Sequence, residues 1–108
     1  MSYDPKISLE KFSAGAKEFE RVLRQHGEGV QLKMSPRSAS VLGPWVAEWW
    51  VDTLDLPALE DSMEAHIGAP LKLSYYASGR AKTLRFKSGY VVVSLDKHPT
   101  RVDLIASW

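Results

Sequence analysis

The sequence predicts a two-layer α+β domain. Its parts are a four-stranded antiparallel meander over residues 71–108, a short strand near 30–35, an N-terminal helix and one or two short central helices. Three observations carry this expectation. An apolar stripe of helical period occupies the first quarter of the chain. Four runs rich in β-branched and aromatic residues, separated by turn chemistry, fill the last forty residues. The meander those runs would form has one apolar face, which amphipathic helices can cover.

Residues 1–7 read as an extended tail, because Pro5 biases Asp4 away from helical backbone. A helix is predicted over 8–26, with Ser8 at its cap. Leu9, Phe12, Ala16, Phe19, Val22 and Leu23 form one side of a 3.6-residue period. Glu10 near its start and Arg21 and Arg24 near its end suit the helix dipole, and Gly27 and Gly29 end it. Val30, Leu32 and Met34 alternate with polar residues, as in a half-buried strand that Pro36 stops. Residues 37–40 read as a mobile loop.

Residues 44–54 admit two readings. As a helix, Pro44 takes the first position, where its missing N–H costs nothing. Glu48, Asp52 and Asp55 then form an acidic stripe, and Trp50 lies about 100° round from Trp49. As a strand, Trp45, Ala47, Trp49 and Val51 share a face, and three tryptophans with two valines suit that state. The separate acidic stripe and the Pro44 start favour the helix. Pro57 opens a further short helix with Asp55 or Leu56 near its cap. Leu59, Met63 and Ile67 lie on its apolar side, and Gly68 ends it.

The meander runs are 71–77, 80–87, 90–95 and 101–108. Two-residue loops at Ser78-Gly79 and Ser88-Gly89 pair Leu73 with Leu84 and Leu84 with Val93. The longer turn at 96–100 pairs Leu95 with Val102. All three turns then put Leu71, Leu73, Tyr75, Leu84, Phe86, Val91, Val93, Leu95, Val102, Leu104, Ala106 and Trp108 on one face, and a one-residue slip would mix the faces.

The 108 residues make a single domain, 1–108, with 44% hydrophobic and 25% charged residues, close to globular averages. With no cysteine, a disulfide framework, a thiolate metal site and a cysteine nucleophile are excluded. No apolar run reaches the roughly 18 residues of a membrane helix, and the N-terminus lacks the pattern of a signal peptide. The expected setting is cytoplasmic, with no membrane contact. His26, His66 and His98 lack ligand spacing, so no metal and no cofactor is expected. Neither a nucleophile elbow nor a phosphate-binding glycine loop occurs. Glu60 and Glu64 share a helical face without a cleft to shift a pKa, so no catalytic residue is assigned and the expectation is a non-enzyme.

Charge is uneven. Residues 1–66 carry 7 Lys/Arg and 11 Asp/Glu, whereas residues 67–108 carry 7 Lys/Arg and 2 Asp/Glu. Such asymmetry points to interaction surfaces. The favoured function is a small non-catalytic protein-binding module, an adaptor, inhibitor or accessory domain. Its expected contact is an acidic, Trp-bearing helical surface of Trp50, Glu48, Asp52 and Asp55, and its expected partner a protein with a basic surface. The alternative is nucleic-acid or anion binding through the basic meander. There Arg80, Lys82, Lys97, His98 and Arg101 would form a pole at one end of the sheet, and Arg85 and Lys87 would lie on its outer face. Self-association is left open.

Overall fold

The computed structural model describes residues 5–38, 44–67, 72–75, 81–86, 89–96 and 98–106. Helix α1 (Pro5–His26) is followed by β1 (Gly27–Glu28), β2 (Gln31–Ser38), β3 (Trp45–Val51), β4 (Thr53–Leu54), α2 (Leu56–Ile67), β5 (Lys72–Tyr75), β6 (Ala81–Phe86), β7 (Gly89–Ser94) and β8 (Thr100–Ala106). The α+β class is as expected. The main sheet has six antiparallel strands in the order β2-β3-β8-β7-β6-β5, and β1 and β4 form a separate two-stranded bridge.

The apolar stripe of α1 buries Phe12, Ala16, Phe19, Val22 and Leu23 in the core. The helix begins at Pro5, not Ser8, as the tolerance of proline in a first turn allows. On α2, Leu59 and Met63 complete the same cluster. The Asp55 carboxylate accepts the Ala58 N–H at 3.2 Å, which caps α2. The Asp55 N–H donates to the His26 carbonyl at 2.8 Å, and the Asp52 N–H to Glu28 at 2.9 Å. Together with β1–β4 these bonds fasten the end of α1 to the start of α2. Gly29, at φ 66°, turns the chain out of this bridge, a conformation glycine adopts without a Cβ penalty.

The 44–54 segment corrects the sequence expectation: it is strand β3, not a helix. Trp45, Ala47, Trp49 and Val51 face the helices, and Val46, Glu48 and Trp50 face away. The physical reason is tertiary. Strand β8 exposes an edge beside the core residues Val102, Leu104 and Ala106, and β3 pairs with it over seven residues, from Trp45↔Ala106 to Val51↔Thr100. Trp49 meets Phe19 edge-on at 5.2 Å, and its indole N–H donates to Glu20 at 3.1 Å. A helix here would leave the edge of β8 away from β7 unpaired.

The meander has the expected strand order, and six of the residues expected on its inner face are buried there. Leu73 pairs with Leu84 as expected. The next two ladders are each displaced by two residues, so Leu84 pairs with Val91 and Val93 with Val102. Gly89 explains the first displacement. It serves close approach instead of a turn, since a Cβ there would sit 2.0 Å from the Ile105 carbonyl oxygen and 2.7 Å from the Ala106 Cα. A shift of two preserves the faces, and Leu84, Val91, Val93, Val102, Leu104 and Ala106 are all buried. Leu95 falls beyond the end of β7 and is half exposed. The side chains of Leu73, Tyr75 and Phe86 lie outside the described set, as do Leu71 and Trp108 altogether.

Strand β2 extends the sheet beyond β3 instead of pairing with the meander. Pro36 does not stop it, because an edge strand can spare an N–H. Register shifts at Leu32/Met34 and Met34/Arg37 break its alternation, and Leu32 and Met34 are exposed, not half-buried. Arg37 and Ser38 are strand and not loop.

Candidate functional site

The register aligns the outer-face residues in rows across the sheet. Trp50 stands beside Arg101, which stands beside Ser94. Glu48 stands beside Asp103, followed by Val92 and Thr83. Val46, Ile105, Tyr90 and Arg85 form the third row. The described core residues of both helices pack on the opposite face.

At the β2–β3–β8 end these rows create an ion-pair cluster. The Glu48 carboxylate is buried and receives three cations: Arg37 Nη2 at 3.0 Å, Arg101 Nη2 at 3.1 Å and Lys33 Nζ at 3.6 Å. Arg101 Nε also donates to Asp103 Oδ1 at 3.1 Å. Burial lifts the Asp103 carboxyl above the ordinary aspartate range, and Glu48 across the strand adds to that lift. The Arg101 hydrogen bond pulls the other way. Lys33 Nζ also lies 4.9 Å from the centroid of the Trp50 ring, within cation–π reach. The cluster is layered. The two carboxylate side chains keep 6% and 14% of their surface in water, and the three cations keep 32%, 40% and 38%. Its anions lie at the bottom and its cations on top.

Trp50 is exposed over 40% of its surface, as expected, although on a strand. The acidic stripe around it does not form. The strand puts Glu48 beneath cations, Asp52 beyond the end of β3 against Gly29, and Asp55 at the cap of α2. The expected basic pole also divides. Lys82 lies on the inner face and reaches Glu60 of α2 at 2.5 Å, whereas Arg101 lies on the outer face. Alternation along strands separates them, because one has even and the other odd spacing from shared partners. Arg85 and His98 are exposed. Arg80, Lys87 and Lys97 lie outside the described residues, as does the side chain of Glu64.

Sequence reasoning missed Lys33, Arg37 and Asp103 as a unit. The available signal was Arg37, Glu48 and Arg101 under a strand reading of 44–54. Among the described residues no cluster of His, Asp or Glu has the arrangement of a metal site, and no helix is long and apolar enough to cross a membrane. Comparison with protein-family models, curated proteins and solved structures finds no match to this chain.

Proposed function

We propose that the chain is a non-catalytic protein-binding domain whose contact surface is the outer sheet face centred on Trp50, in a cytoplasmic setting. The observation that supports this is a large aromatic side chain exposed over 40% of its surface and anchored on a central strand. Ladders on both sides of β3 fix its backbone, so little ordering entropy remains to oppose binding there. Exposed Trp is the residue type most enriched among binding hot spots. Met34 on the neighbouring strand adds exposed apolar surface. Truncating such an anchor commonly costs at least about 2 kcal/mol, or roughly thirtyfold in affinity.

The test is site-specific photocrosslinking in the native cell. A photoreactive phenylalanine in place of Met34, which leaves Trp50 intact, should yield a discrete protein adduct, and the same group at Asp61, exposed on α2, should not. Equal adducts from both positions, or none from position 34, would overturn the reading.

A further inference from the structure

We infer that the occupant of this face is an acidic protein segment, not the basic partner expected from the acidic residues of the sequence. The inference rests on the Trp50 reading above and adds the chemistry of the partner. Its ground is the layering of the ion-pair cluster. Glu48 is buried and the Asp103 side chain largely so, and Lys33, Arg37 and Arg101 cover them and keep 32%, 40% and 38% of their surface in water. An approaching molecule meets the cations first. The cluster holds three positive and two negative groups, so its sum is also positive.

Lys33 lies over the Trp50 ring and Arg101 is the cross-strand neighbour of Trp50. A segment that packs an apolar side chain on Trp50 therefore brings its flanking residues onto Lys33 and Arg101. Carboxylates are favoured there by complementarity, and lysines are repelled. Of the carboxylates expected to attract a basic partner, Glu48 is buried under three cations, whereas Asp52 lies beyond the end of β3 and Asp55 at the cap of α2.

Binding takes place on the sheet face and not by adding a strand to the β2 edge. That edge has Pro36, two register shifts, Lys33 and Arg37, the devices by which edge strands resist pairing. A second copy is disfavoured as well, since a two-fold contact on this face would oppose one set of cations with another.

The test begins with a random dodecapeptide display library, panned at low salt on the full chain and on Trp50→Ala. The wild type should enrich peptides carrying several Asp or Glu around one apolar or aromatic residue, and Trp50→Ala should not. For the best peptide, Trp50→Ala should weaken binding at least tenfold. Lys33→Gln should weaken it about threefold and Lys33→Glu about tenfold, the losses shrinking as salt is added. Loss of the pair with Glu48 should lower the urea midpoint of the Lys33 variants somewhat, so a wild-type near-UV circular dichroism spectrum under the binding conditions is what separates these effects from misfolding.

Neutral or basic peptides that still require Trp50 would overturn the acidic assignment and leave the Trp50 surface standing. Peptides that bind wild type and Trp50→Ala equally would overturn both. An empty selection, Trp50-dependent binding of an oligothymidylate, or a dimer abolished by Trp50→Ala would each overturn the acidic segment as occupant.

Discussion

Glu48→Gln removes one charge from a site where three cations converge, and keeps the shape of the side chain. Glu48 is 5% exposed. A fully buried pair broken this way costs about 3–5 kcal/mol. Here the cations retain 32%, 40% and 38% of their surface in water, so solvent screens each pair toward the surface range of about 0.2–1 kcal/mol. Three such pairs amount to roughly 1–3 kcal/mol. Against that, the neutral amide no longer repels Asp103 across the ladder, and Arg101 keeps Asp103 as a partner. The expected net loss is about 1–2 kcal/mol, or roughly 4–16 °C in Tm for a domain of this size. Urea unfolding followed by tryptophan fluorescence measures it, with an unchanged slope as the sign that two-state behaviour holds. The difference should contract in 1 M salt, where the Debye length is about 3 Å. A glutamine variant as stable as the wild type at low salt would refute the argument that the cations stabilise this carboxylate.

Three further outcomes are expected. Leu84→Ala empties a fully buried position on the inner face and should cost about 2–5 kcal/mol in the same assay; a loss under 1 kcal/mol would contradict its burial. Asp103 has its folded-state pKa raised by burial, so its contribution to stability is complete below the unfolded value of about 3.9 and is lost as pH rises through the folded pKa. Asp103→Asn should therefore gain on the wild type as pH rises above about 4, and a difference that is flat with pH would exclude the effect. Gly29→Ala forces a left-handed φ on a side chain whose Cβ would also sit 2.1 Å from Asp52 Oδ2, and should lower stability by about 1–2 kcal/mol; no change in the unfolding midpoint would show that the turn relaxes freely.

The parts legible in the sequence are those with a strong period. Phe12, Ala16, Phe19 and Leu23 mark α1 by spacing alone, and the alternation from Val91 to Ala106 marks both faces of the meander. Parity survived a register error because glycine at 89 can serve a turn or a close approach, and only the position of β8 decides which. Residues 45–51 fit both periods. Glu48, Asp52 and Asp55 read as a solvated helical stripe, because nothing local reveals that Glu48 finds Arg37 eleven residues earlier and Arg101 more than fifty residues later. The Trp50 exposure was foreseen for the wrong reason, from a helical angle instead of an outward strand position.

The placement of β3 between β2 and β8 has a consequence for synthesis. The strand it needs on one side comes last in the chain, so a nascent polypeptide that has completed Trp45–Val51 holds an unpaired edge and the Trp49 ring until Thr100–Ala106 is made. The β2–β3 hairpin can form early, but its inner face has only the helices to rest on. Contacts that span fifty residues are slow to close, and an exposed aromatic strand is a hazard during the wait. Refolding of the complete chain should accordingly show the near-UV signature of Trp49 arriving with the final cooperative step, and a chain halted before residue 100 should be a substrate for chaperones.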